Sequence, residues 1–263
     1  MTPEPNIVMV VRPAFDDSTK YSEFYLGEIV TYAQSLGYEV IDIGGDNLDP
    51  NYVISQIKEK NPLYVFVASH GCTNVVTASL EKDLFFTPPG CEGREHSDEN
   101  VSILQDRIVF YLACDTDIVT AETARYASRV IGFQNVFGWV SDNQRAPLYD
   151  PSSDKYAVAY FASINEMLKS LLDKNPLKTV AKSYTDSINY WLSYWKTSID
   201  AKAEMVTNWL LIDRNSLVIY ENGQLTLTTE EKFNPLIIAA AGLGALLLFS
   251  ETVERTTSLF GEK

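Results

Sequence analysis

Along the first half of the chain, short β-branched apolar runs alternate with longer segments whose apolar residues recur every three or four positions. "NIVMVV" (Asn6 to Val11) is apolar throughout, which predicts a strand buried on both faces. In "SEFYLGEIVTYAQSLGY", Phe24, Leu26, Ile29, Val30, Ala33 and Leu36 share one helical face, and Gly37 ends the element. "EVIDIGG" predicts a second strand. Asp49 and Pro50 give a cap and a first-turn proline to a helix over "DPNYVISQIKEK", which turns Val53, Ile54 and Ile57 inward before Asn61-Pro62 stops it. "LYVFVAS" and "RIVFYLA" predict the third and fourth strands, "TAETARYASRVIG" a helix closing on Gly132, and "NVFGWVS" a fifth strand. Strand and helix in alternation imply an α/β fold, with a mostly parallel sheet and helices on both faces.

The remaining segments break this rhythm. Between the third and fourth strands, Cys72 to Asp106 has no helical period and centres on "TPPGCEGREHSDEN". It is too long for a simple connection and predicts a functional loop or a small hairpin, with Arg94 exposed and open to proteolytic nicking. After the fifth strand, "DNQRAPLYDPSSDK" reads as a loop. Two helices follow, near "YAVAYFASINEMLKSLLDK" and "TVAKSYTDSINYWLSYWKTSIDAKAEM", their aromatics spaced as core. Asn222-Gly223 in "SLVIYENGQLTL" joins two apolar alternations and predicts a hairpin. From Phe233 to Ser250 the chain runs 18 residues without a charge. As a helix that run reaches roughly 27 Å, enough to suggest a membrane anchor. The expected organisation is a main domain over 1–212, a hairpin and linker over 213–232, a hydrophobic helix over 233–250 and a polar tail over 251–263.

Composition narrows the function. Of 263 residues, 46% are hydrophobic and 12% aromatic, which suffices for the core of one large domain. The formal charge of −14, from 21 Lys+Arg against 35 Asp+Glu, repels phosphate backbones and argues against a nucleic-acid partner. Three cysteines, none in a CxxC pair, and an N-terminus "MTPEPNIVMVV" without the features of a secretory signal place the main domain in the cytoplasm. The loop after the first strand, "RPAFDD", has neither a dinucleotide fingerprint nor a Walker A sequence, and no G-x-S-x-G elbow occurs. "CEGREH" and "HGC" do not match structural zinc spacings, so no metal or cofactor is expected.

Chemistry concentrates at two strand ends. In an open parallel sheet, ligands collect at the carboxyl ends of the strands. His70, one of only two histidines, ends the third strand, and Cys114 ends the fourth, 44 residues later. If those strands are neighbours, the imidazole assists thiolate formation, the thiolate attacks a carbonyl and the imidazolium protonates the leaving amine. The amides of Gly71 and Cys114 are candidates for holding the oxyanion. On this basis Cys114 is the reactive thiol, its thiolate fraction raised near neutral pH.

The two blocks "YVFVASHG" and "IVFYLAC" resemble the signature of the caspase-like (clan CD) cysteine peptidases: a hydrophobic block ending in His-Gly, then a second ending in a small residue and Cys. The resemblance covers roughly Asn6 to Trp209, and in style it is nearest to clostripain and the gingipains. It implies a caspase-hemoglobinase-like three-layer sandwich and a cysteine endopeptidase acting on protein or peptide substrates. It also implies His70 and Cys114 as the dyad, with Gly71 lining the oxyanion site. The caspase pentapeptide Gln-Ala-Cys-x-Gly is replaced by Leu112-Ala113-Cys114-Asp115-Thr116, so specificity for aspartate is not implied. Some clostripain-like relatives select Arg or Lys through an acidic residue beside the strand after the cysteine. Trp139 and Asp142 are the candidates here, reinforced by Asp115 or Asp117. The rival expectation is a catalytically silent member of the same fold, serving as a scaffold or binding module at a membrane.

Overall fold

The apolar runs assemble into the middle layer of an α/β sandwich. A computed structural model describes residues 2–90, 93–142 and 150–228. In chain order the elements are β1 (Glu4–Pro13), α1 (Asp17–Ser35), β2 (Glu39–Gly45), α2 (Pro50–Lys60) and β3 (Pro62–Ala68). Four short strands follow: β4 (Gly71–Cys72), β5 (Val75–Thr77), β6 (Lys82–Phe86) and β7 (Glu95–His96). The chain continues through β8 (Ile108–Leu112), α3 (Asp117–Thr123), β9 (Arg129–Phe133), α4 (Ala157–Leu172), α5 (Leu177–Lys196), α6 (Ala203–Ser216), β10 (Leu217–Glu221) and β11 (Gln224–Thr228). The main sheet has the order β11-β10-β9-β8-β3-β1-β2, parallel from β2 to β9, with β10 antiparallel to β9 and β11 antiparallel to β10.

Strand alternation divides the core between the two faces of this sheet. Val8, Val10, Phe66 and Phe110 pack with residues of α1, α4, α5 and α6 on one side. Met9, Val11, Val65, Val67 and Val109 pack with α2, α3 and the insert on the other. Both faces are apolar, so the strands read as continuous runs instead of alternating ones. Asp16 caps α1, accepting from the Thr19 amide at 2.8 Å while the Thr19 hydroxyl accepts from the Asp16 amide at 3.0 Å. That cap places a carboxylate at the carboxyl end of β1.

Three local expectations are revised. "NVFGWVS" forms no strand; the fifth strand is β9, drawn from the end of the expected helix "TAETARYASRVIG", of which only Thr120 to Thr123, the end of α3, is helical. Arg129 to Phe133 pairs with β8 on one side and β10 on the other, and this two-sided pairing overrides local helical spacing. Gly132 is accordingly a strand residue and no helix stop: a Cβ there would sit 2.9 Å from Thr120 Oγ1. The long last helix divides into α5 and α6, and Asp200 organises the break by accepting from the Lys202 amide at 2.9 Å and the Tyr156 hydroxyl at 2.8 Å. The Asn222-Gly223 turn forms as read, both residues at positive φ (50° and 78°), and its hairpin supplies the edge of the main sheet.

The insert builds a second sheet, β4-β5-β6-β7. Arg94 is not the open loop residue expected. Its guanidinium donates to the buried Asp83 at 2.5 Å and to the carbonyls of Leu80, Ser79 and Lys82. His96 lies with Nδ1 2.9 Å from Asp83 Oδ2 and its ring stacked on Phe86, a structural setting for the second histidine. Cys72 is disulfide-bonded. The hydrophobic run from Phe233 and the polar tail lie outside the described residues, and among the described residues no helix is long and apolar enough to cross a membrane.

Candidate active site

β3 and β8 are neighbours in parallel register, Ala68 opposite Leu112, and the Ser69 amide continues the ladder to the Leu112 carbonyl at 3.0 Å. His70 and Cys114 each stand two residues beyond that last pair, so the register brings both to one place on the carboxyl edge of the sheet. Gly71 is fixed there by close approach: a Cβ would lie 2.5 Å from the Cys114 carbonyl oxygen and 2.6 Å from Thr116 Cγ2.

A residue that the sequence reading passed over completes the arrangement. Asp16 Oδ2 lies 2.5 Å from His70 Nε2, while Asp16 Oδ1 accepts from the Thr19 amide. Burial works to raise the Asp16 carboxyl, but the hydrogen bonds from His70 and Thr19 outweigh it and hold the group below the usual carboxylate range. The pairing engages Nε2 and leaves Nδ1 without a hydrogen bond among the described residues. The signal was present in "FDDSTKY", where an Asp followed three residues later by a Thr marks a helix N-cap at the end of the first strand.

Cys114 is turned elsewhere. Its Sγ donates to the Phe137 carbonyl at 3.0 Å, and no hydrogen bond joins it to His70 among the described residues. Burial pushes the thiol up to about 12, and the Phe137 carbonyl that accepts from it favours the protonated form. In this state Cys114 is a protonated thiol, contrary to the expected rise in thiolate. It is nonetheless the free cysteine of the described residues.

The expected substrate wall lies on the segment after β9. Trp139 is wedged among Tyr21, Phe137 and Phe161, with ring centroids 5.9, 6.2 and 5.1 Å away. Asp142 projects into solvent, its carboxylate 3.9 Å from Lys202 Nζ, so a cation of the same chain already faces it. Asp154 holds this segment in place by accepting from five donors: the Tyr21 and Ser141 hydroxyls and the amides of Asp142, Tyr156 and Ala157. Asp115 is not beside Asp142 in function. It adopts φ 50°, bonds its amide to the Asn135 carbonyl and accepts from Thr73 Oγ1 at 3.4 Å, on the insert side. Asp117 is exposed in the first turn of α3. Phe137, Trp139 and Asp142 thus share one short segment, which touches the candidate nucleophile at one end and carries the candidate selectivity residues at the other.

Comparison with protein-family models and with curated proteins finds no match to this chain.

Proposed function

We propose that the chain is a caspase-like cysteine endopeptidase in which His70 and Cys114 form the catalytic dyad. The observation that carries this reading is the register of β3 and β8, which sets an imidazole and a thiol at equivalent positions past adjacent strand ends. The sheet order, with five parallel strands followed by an antiparallel edge hairpin, is consistent with the caspase-hemoglobinase-like sandwich implied by the sequence blocks. Asp16 fixes the imidazole through Nε2, so Nδ1 is the nitrogen that takes the thiol proton. The thiolate attacks the scissile carbonyl, the amides of Gly71 and Cys114 receive the oxyanion, and the imidazolium returns the proton to the leaving amine. Water then hydrolyses the thioester with His70 acting as base. Substrates are cut after Arg or Lys, whose cation displaces Lys202 from Asp142 beside Trp139.

The segment Phe233–Ser250 tethers this body to a membrane. The Cys72 disulfide favours an oxidising compartment, whereas the cysteine pattern and N-terminus of the sequence favour the cytoplasm.

One observation favours the second reading, a silent scaffold: the Cys114 thiol is hydrogen-bonded to Phe137 and protonated. A peptidyl acyloxymethyl ketone with Arg before the reactive group separates the two. The peptidase labels at Cys114, and His70→Ala loses the labelling. A folded protein that takes up no probe, with Arg, Lys or any other residue at that position, is a scaffold.

A further inference from the structure

α6 buries an aspartate that the proposed chemistry does not use. Asp213 is wholly inaccessible to solvent. Its Oδ1 accepts from the Gly138 amide at 3.1 Å, and its Oδ2 has no hydrogen-bond partner among the described residues. One turn earlier on the same helix, the ring of Trp209 lies so close to Gly138 that a Cβ there would be 2.6 Å from Trp209 Cζ3. Two residues at i and i+4 therefore grip one glycine, the first by its surface and the second by its amide. The peptide unit gripped in this way is Phe137–Gly138, and its carbonyl is the one that receives the Cys114 thiol at 3.0 Å.

We propose that Asp213 is a positioning residue for Cys114: anchored on the Gly138 amide, it holds the Phe137 carbonyl against the thiol and keeps the nucleophile latched until the 137–142 segment moves. The proposal rests on Cys114 being the nucleophile. A substrate seated against Trp139 and Asp142 engages the same segment, so binding is the event that releases the latch. The titratable groups coupled to Asp213 are Tyr160 on α4, Tyr184 on α5 and Cys114 itself, none of them cationic. Its chain neighbour Arg214 donates instead to Asn189 and Asn215. Burial without a counter-ion raises the Asp213 carboxyl well above its ordinary range, and asparagine keeps the oxygen that accepts from the Gly138 amide.

The test is the rate of iodoacetamide modification at Cys114, read by mass spectrometry of the Cys114 peptide in full-length protein at neutral pH. Asp213→Ala frees the peptide unit and raises the rate about tenfold or more, whereas Asp213→Asn stays within about twofold of wild type. A folded Asp213→Ala protein that reacts at the wild-type rate, or an Asp213→Asn protein as fast as Asp213→Ala, overturns the latch. If Asp213→Ala does not fold, hydrogen exchange at the Gly138 amide decides: strong protection in wild type supports the anchor, and an amide that exchanges freely overturns it. Peptide hydrolysis on the same proteins keeps the two readings apart: latching without any turnover removes the peptidase reading, and turnover without latching removes only this inference.

Discussion

Asp16 and His70, 54 residues apart in the chain, meet at 2.5 Å between carboxylate and imidazole where β1 and β3 end side by side. The same carboxylate caps α1, so one residue fixes both the entry of a helix and the orientation of the ring. Asparagine is as good a cap as aspartate but carries no charge. Asp16→Asn should keep the cap and the fold but melt below wild type at neutral pH, while lowering kcat by about a hundredfold with little change in KM. Asp16→Ala should lose the cap as well, costing about 1 kcal/mol of stability measured by denaturant unfolding.

The same pair sets a pH dependence. The folded-state carboxyl of Asp16 is held below its ordinary range, so its contribution to stability is complete above that range and is lost as pH falls through the lowered value. Melting curves of wild type and Asp16→Asn should therefore separate most at mildly acidic to neutral pH and converge in strong acid. A gap that widens toward acid would contradict the assignment.

The fold was largely legible because both sheet faces are covered: continuous apolar runs mark β1, β3 and β8 without ambiguity, and Asn222-Gly223 marks the edge hairpin. The failure at β9 has a physical cause, since Arg129 to Phe133 takes its structure from strands 21 residues before it and over 80 residues after it. His70 and Cys114 could be placed because strand ends are visible in sequence. Asp16 was missed because its second partner is 54 residues away, although its role as a cap was local. The Phe137 carbonyl carries no sequence signal at all, being a backbone group on an irregular segment.

Gly71 tests how tightly the two strand ends must meet. A methyl group there would be 2.5 Å from a backbone carbonyl of the neighbouring strand extension, which cannot rotate aside. Gly71→Ala should destabilise the protein by about 1–3 kcal/mol and abolish labelling of Cys114 by substrate-like probes. Urea unfolding and probe labelling on one preparation check both.

Arg94 offers a test away from the site. Asp83 is fully buried and takes a hydrogen bond from Arg94 at 2.5 Å. Arg94→Ala leaves that carboxylate without its cation and should cost about 3 kcal/mol or more. Arg94→Lys should restore only part of this, because one ammonium cannot bridge Asp83 and three carbonyls. Proteolysis of wild type should leave this bond uncut.

The proposed preference for Arg or Lys can be tested at Asp142, whose carboxylate lies 3.9 Å from Lys202 Nζ. Asp142→Asn should lower kcat/KM for an Arg substrate by about a hundredfold and change an uncharged substrate little, while Lys202→Ala should raise it by removing the competing cation. Equal effects on charged and uncharged substrates would take Asp142 out of the site.

The most direct test of the central claim is turnover of a fluorogenic peptide library by the full chain, alongside Cys114→Ala and His70→Ala. The account predicts hydrolysis by wild type, strongest after Arg or Lys, and none by either variant although both fold. Hydrolysis that survives Cys114→Ala, or no hydrolysis of any member by folded wild type, would contradict it.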